Sequence, residues 1–206
     1  EGLYASPTEV NNVETVAAVP KILAMGGEEY AKIGVENSTG TRLCSLSGNV
    51  VRGGNYEIEL GKLTIRQLIH DPDLGGGIPD GRSLKAVIPG GSSTPVLSAA
   101  EVDATCDYDA IAKAGSQFGA AAFIVIDDCC CMVQLGLRFA QFYQQESCGK
   151  CTPCREGVRW QVDILRRIGR WMRLHSRSIY DAGPSSYTPP PDCRYTQRGD
   201  RLYLHL

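Results

Sequence analysis

Cys148, Cys151 and Cys154 fall in one seven-residue run, Cys-Gly-Lys-Cys-Thr-Pro-Cys, between Glu146-Ser147 and Arg155-Glu156-Gly157. Thiolates are the ligands of iron–sulfur clusters and of many zinc ions, and a C-x₂-C-x₂-C loop can cover three corners of one cubane cluster. A structural zinc usually takes a C-x₂-C pair together with a second, distant pair. This loop fits that pattern poorly, and a zinc here would need a fourth ligand such as His175 or Cys193. Gly149 permits the turn between the first two thiols, and Pro153 stiffens the approach to the third. A helix that begins at the third thiol turns its unbonded N–H groups and positive end toward an anionic site. Lys150 and Arg155 add positive charge, and both effects favour electron uptake.

The remaining reactive side chains promise less. Cys129-Cys130-Cys131 cannot converge on one ion if helical, because neighbours on a helix diverge by about 100°; packing at a helix start is expected of them. Cys44 and Cys106 read as small core residues. The Gly75-Gly76-Gly77 and Gly90-Gly91-Ser92-Ser93 stretches lack the strand–loop–helix setting of a phosphate cradle and read as turns. Asp127-Asp128 is expected to cap a helix rather than form a catalytic pair. The three histidines have no partner spacing that implies chemistry. No catalytic residue is assigned.

The elements that must hold the cysteine loop are helical. Asp128 is placed as the cap of a helix from about residue 130 to 145, with Val133, Leu137 and Ala140 on one stripe and Leu135, Phe139, Phe142 and Tyr143 widening it. A second helix follows from about residue 155 to 168 on Val158, Val162, Leu165 and Ile168. Two helices flanking a metal loop predict a small helical bundle. Upstream, Asn11 and Glu14 have the spacing of a capping box, and Pro20 is expected to end that helix and begin another over 21–25, closed by Gly26-Gly27. Strands are predicted at 42–46, 49–52, 56–60, 84–88 and 124–126, with a helix at 63–70 stopped by Asp71-Pro72. A hairpin, a helix and then further strands is the order of a β-grasp module. After Gly169 no period is sustained, and Trp171-Met172 is at most a last turn.

The whole-chain totals narrow the class. The 206 residues are 43% hydrophobic and 21% charged, an ordinary globular composition. A net charge of −2 gives no reason to expect nucleic acid or an anionic membrane as partner. The run from Ala120 to Ile126 falls far short of the roughly 20 apolar residues that span a bilayer. Nine cysteines, an odd number with several too close for disulfide geometry, fit metal-bound thiolates in a reducing compartment better than a secreted disulfide scaffold. The abrupt start at Glu1-Gly2-Leu3-Tyr4 reads as part of something longer.

Four motifs in order carry a family resemblance: Pro7 to Thr15 (Pro-Thr-Glu-Val-Asn-Asn-Val-Glu-Thr), Ser45 to Gly48 (Ser-Leu-Ser-Gly), Lys85 to Ser93 (Lys-Ala-Val-Ile-Pro-Gly-Gly-Ser-Ser) and Glu146 to Gly157. Over residues 1 to about 168 the chain resembles the flavoprotein subunit of respiratory NADH:quinone oxidoreductase (complex I) and the related diaphorase subunits of NAD-linked hydrogenases and formate dehydrogenases. The resemblance implies an α+β chain with four parts. Residues 1–37 would be the end of an FMN-binding α/β domain, 38–128 a β-grasp domain, 129–170 a helical domain carrying a [4Fe–4S] cluster, and 171–206 an atypical tail, disordered or out of frame. It implies FMN contacts at Asn11, Asn12 and Thr15, which suit a phosphate at a helix N-terminus, although a helix cap is the simpler reading of Asn11. It implies cluster ligation by Cys148, Cys151 and Cys154. Cys193 lies at nearly the right distance for the fourth ligand, but Pro-Pro-Asp-Cys-Arg-Tyr lacks the family's setting.

The function implied is that of an NADH dehydrogenase subunit that takes hydride from NADH onto FMN and passes single electrons through the cluster toward quinone. Its partners would be the other Fe–S subunits of the NADH dehydrogenase module, peripheral on the cytoplasmic face of a bacterial inner membrane without direct insertion. The family's glycine-rich NADH and FMN loops have no counterpart in these residues, so the chain alone is expected to be inactive. The other reading is a non-catalytic β-grasp interaction module with a structural zinc knuckle. The segment after Gly169 looks foreign to the family, and a shift of reading frame there accounts for it. Translation of the encoding DNA in its other frames should uncover a family-like tail; a tail absent from every frame rejects the shift.

Overall fold

The computed structural model of the chain describes residues 2–180. After a short turn at Leu3–Ala5 come α1 (Val13–Met25) and α2 (Gly27–Tyr30), then the paired strands β1 (Gly34–Val35) and β2 (Ser38–Thr39). A hairpin follows, β3 (Thr41–Gly48) with β4 (Gly54–Glu59), and then α3 (Ile65–His70). The order continues with β5 (Leu84–Ile88), β6 (Leu97–Ser98), α4 (Tyr108–Lys113) and β7 (Ala122–Asp127), and closes with α5 (Met132–Glu146) and α6 (Val158–Tyr180). Five strands form one sheet in the order β4-β3-β7-β5-β6. The mixture of helix and sheet is that of an α+β chain. Among the described residues no helix is long and apolar enough to cross a membrane.

The described residues divide into two compact units, one comprising those up to Gly77 with Val87–Ile124, the other Ile78–Ala86 with those from Val125 onward. In the first unit, β3 alternates as expected of a half-covered strand, with Cys44 and Leu46 turned inward. It pairs antiparallel with β4 in a register that sets Arg42 opposite Ile58 and Ser45 opposite Asn55. Strand character over 49–52 is not found. The N–H groups of Val51 and Arg52 donate instead to the carbonyls of Gly77 and Gly75, at 2.9 and 2.8 Å. A partner distant in sequence thus takes the donors a strand would have offered. Gly75 is required there, since a β-carbon would lie 2.3 Å from the Ile69 carbonyl oxygen.

α3 starts at a capping box of the Thr-x-x-Gln kind, two residues past the expected start at 63: Thr64 accepts from Gln67 N–H, and the Gln67 side chain accepts from Thr64 N–H. Its Ile65, Leu68 and Ile69 are fully buried, and Asp71 ends it. α4 is a further element not expected from the sequence. Ile111 is its one buried residue, too little to show an apolar stripe, and Asp107, whose carboxylate accepts from Ala110 N–H at 2.7 Å, marks its start. It delivers Ile111 to the core, where Phe118 meets Tyr108 and Phe123 edge to face at 5.2 and 6.0 Å.

Two expectations at the N-terminus need correcting. The cap of α1 is Asn12 rather than Asn11, with its side-chain oxygen accepting from Glu14 N–H at 2.8 Å. Glu14 does not fold back on the cap. One carboxylate oxygen accepts from Leu43 N–H at 2.9 Å and the other pairs with Arg42 at 2.9 Å, which ties the start of α1 to β3. Pro20 lies inside α1 without ending it, and the helix stops at Gly26, whose φ is +90°.

Cys44 and Cys106 are core residues, fully buried and without disulfide. Burial pushes the Cys44 thiol up to about 12, against the opposing pull of Arg42, and raises Cys106 for the same reason. A thiol held neutral in the fold and free to ionise when unfolded stabilises the protein fully below its ordinary value of 9.0. That contribution is lost as pH climbs from there toward about 12. The denaturation midpoint of the folded chain is therefore expected to fall as pH rises above 9, and to fall less steeply in C44A.

Candidate metal centre

The cysteine loop lies in the second unit, between α5 and α6. α5 does not begin at an aspartate. Its N-cap is Cys131, without a side-chain hydrogen bond, because both aspartates are engaged elsewhere. Asp127 is buried, pairs with Arg82 at 3.1 Å and accepts from Cys130 N–H at 3.0 Å. Asp128 accepts from Ser83 N–H at 3.3 Å. These bonds join Ile78–Ala86 to the lead-in of α5 and set its direction. Lys85 adds a further tie by donating to the Cys130 carbonyl.

α5 and α6 pack against each other, with Ala140 of the first and Val162 of the second buried, as the helical stripes predict. At the far end of the stripe Ile168 is 40% exposed, and Gly169 is the buried residue instead. A β-carbon at Gly169 would stand 3.0 Å from the Gln134 side-chain nitrogen. α6 runs on to Tyr180, past the point where sequence periodicity fades.

Ser147 ends α5 in an extended conformation, and Gly149 turns the chain with φ of +75°. A residue with a β-carbon is strained there, so glycine is the natural occupant. Pro153–Gly157 then form a π-helical turn leading into α6, a local widening common at functional sites. Cys154 thus sits in the first turn of a helical run, beside its positive end. The structure adds a device that spacing alone does not show. The Arg155 guanidinium donates through Nη1 to the Gly149 carbonyl at 2.7 Å and through Nη2 to Thr152 Oγ1 at 3.3 Å, while Arg155 N–H donates to the Cys151 carbonyl at 2.9 Å. One residue therefore grips the loop between each successive pair of thiols. Its only legible sign was a basic residue directly after the third cysteine.

The Cys148, Cys151 and Cys154 thiols are exposed and unpaired by disulfide. Among the described residues no three His, Cys, Asp or Glu side chains are gathered as a ready ligand set. Metal sites of this kind are commonly completed by the ligand itself, with binding coupled to ordering. The donor chemistry fits an iron–sulfur group: three soft thiols on one loop, with the Arg155 cation gripping that loop. Cys193 lies outside the described residues. Asn11, Asn12 and Thr15 are all exposed at the start of α1. Cys129 and Cys130 are half-buried and Cys131 is exposed at the helix start.

Residues 134–174 match the family model described as the NADH-ubiquinone oxidoreductase-F iron–sulfur binding region, a stretch containing all three loop cysteines. The chain is 50% identical over 167 residues to the F 2 subunit of NADH-quinone oxidoreductase of Rhizobium meliloti (strain 1021), covering 81% of this chain and 39% of that protein. It is 48% identical over 167 residues to the F subunit of the NADH-quinone oxidoreductase of Streptomyces coelicolor (strain ATCC BAA-471 / A3(2) / M145), covering 81% and 36% respectively. The chain thus spans under half the length of these curated relatives. A chain in the crystal structure of an NAD+-reducing [NiFe]-hydrogenase in the air-oxidised state superposes with a TM-score of 0.68 at 28% identity, over 82% of this chain and 28% of that one. The resemblance read from four short motifs accordingly extends through most of the sequence and into the fold.

Exposure separates the loop thiols from the core thiols. Brief iodoacetamide treatment of the folded, metal-free protein, followed by peptide mass mapping, is expected to label Cys148, Cys151 and Cys154 and to spare Cys44 and Cys106 until denaturant is added.

Proposed function

We propose that this chain is the C-terminal part of the NADH-oxidising flavoprotein subunit of an NADH:quinone oxidoreductase or of a related hydrogenase diaphorase, and that its cysteine loop holds a [4Fe–4S] cluster. The observation that carries the reading is the exposed three-thiol loop, gripped by Arg155, inside the stretch that matches the iron–sulfur binding region. When bound, such a cluster supplies a one-electron relay toward quinone, and FMN in the whole subunit supplies the hydride acceptor for NADH.

The residues of this chain bind and tune. Cys148, Cys151 and Cys154 would supply three thiolates, with Cys193 assigned as the fourth. Arg155 holds the loop backbone, its charge offset in part by the Glu156 carboxylate at 3.2 Å, while the positive end of the helical run at Cys154 favours an added electron. Asn11, Asn12 and Thr15 are assigned to the FMN phosphate and ribityl chain. The Asn12 side-chain oxygen already serves as cap, which leaves its NH₂ group as the donor for a phosphate oxygen. Residues 1–37 would close the flavin domain, and 129–170 would form the cluster domain. For 38–128 a β-grasp domain is favoured by the strand order, in which the last strand, β7, lies between β3 of the hairpin and β5. The partners assigned are the neighbouring Fe–S subunits, with the assembly peripheral on the cytoplasmic face of the membrane.

Anaerobic reconstitution of the full chain with iron and sulfide tests this. A broad absorption near about 400 nm that bleaches with dithionite is expected. C151S should abolish most of it, and R155A should weaken iron retention by about tenfold or more, as loss of supporting hydrogen bonds does at other metal sites. A colourless protein holding one zinc per chain would overturn the proposal.

A further inference from the structure

The hydroxyl of Ser147 lies at the junction of the hydrogen bonds that shape the cysteine loop. Its Oγ is 3.3 Å from Cys154 Sγ, and it accepts from Gly149 N–H at 3.3 Å. Gly149 is held from its other side by Arg155, which donates to its carbonyl at 2.7 Å. Ser147 itself is half-buried at the end of α5. The Ser147 hydroxyl has one proton and, beside the lone pair that Gly149 N–H occupies, a second lone pair, so with a protonated Cys154 either atom can be the donor. A metal-bound cysteine sulfur is a thiolate and has no proton to offer. With the site loaded, the only hydrogen on the Ser147–Cys154 axis is therefore the hydroxyl's, and the direction of that bond is set.

We propose that Ser147 is a tuning residue that donates O–H···S to Cys154 and raises the reduction potential of the group the loop binds. This rests on the cluster reading above. The physical reason is charge. A reduced cluster carries one more negative charge, spread in part over its ligating sulfurs, so a hydrogen bond to one sulfur stabilises the reduced form more than the oxidised one. Arg155 acts on the same bond at one remove. By fixing the Gly149 peptide it holds the N–H that donates to the serine oxygen, and so helps keep the hydroxyl beside Cys154. Ser147 is thus not a ligand, and it need not alter how much metal the loop holds. It alters how readily the bound group accepts an electron.

The experiment compares the full wild-type chain with S147A and S147T after anaerobic reconstitution, reading iron and sulfide content and the midpoint potential by dithionite titration. Equal loading is expected in all three, with a more negative midpoint in S147A and a midpoint near the wild type in S147T, which keeps the hydroxyl. Should S147A fail to load, S147V against S147T provides the same comparison, hydroxyl removed at nearly constant volume. Equal potentials with and without the hydroxyl, at equal loading, overturn the inference and leave the cluster reading intact. A wild-type chain that takes up no iron and sulfide overturns the cluster reading itself.

Discussion

Three thiols separated by two residues each can serve one metal group only if the short backbone between them is held in a tight turn while the sulfurs stay outside. Much of the second unit meets that constraint. Arg155 bonds the Gly149 carbonyl and the Thr152 hydroxyl, and its backbone N–H bonds the Cys151 carbonyl. The loop is therefore gripped from its C-terminal end by a residue already anchored in a helical run. Gly149 supplies the left-handed turn and the π turn at Pro153–Gly157 joins the loop to α6. Beneath, the α5–α6 contact at Ala140 and Val162 fixes the two posts from which the loop hangs.

The direction of α5 depends in turn on a charge pair. Asp127 is buried, and such a carboxylate is tolerable only when paired and hydrogen-bonded. Arg82 and the N–H of Cys130 meet that need, and in doing so they orient the residues just before α5. Glu14 plays the corresponding part at the other end of the chain, where it binds Arg42 and the N–H of Leu43 and so tethers α1 to β3. In each case an acidic residue that reads locally as a helix cap serves a partner far away in sequence. The cysteines show the same dependence on setting. Cys44 and Cys106 are chemically identical to the loop thiols, yet burial holds them neutral and inert, while exposure leaves the loop thiols available as ligands.

Features that arise from neighbours in sequence were legible. The thiol spacing, the strands β5 and β7, the alternation of β3, the body of α3 and the stripes of α5 and α6 all follow from side chains two to four residues apart, where the strand and helix periods operate. Less legible was anything settled by a distant competitor. Residues 49–52 have strand-like composition but lose their donors to Gly75 and Gly77. Asn11 has the capping-box spacing to Glu14, yet backbone geometry puts the cap at Asn12. α4 contributes one buried residue, shows no apolar stripe of its own, and forms where Ile111 can enter the core.

The amino-acid sequence by itself determined which atoms are available for chemistry: three thiols in seven residues, a basic residue behind them and two amphipathic helices to carry them. Only the tertiary structure decided which cysteines are sealed in the core, which carboxylates are occupied by arginines, and that Arg155 and Ser147 turn back onto the loop they flank. The division has a physical cause. Periodicity and spacing are properties of adjacent residues, whereas burial and hydrogen-bond partnership are assigned only once segments remote in the chain compete for the same donors, acceptors and space.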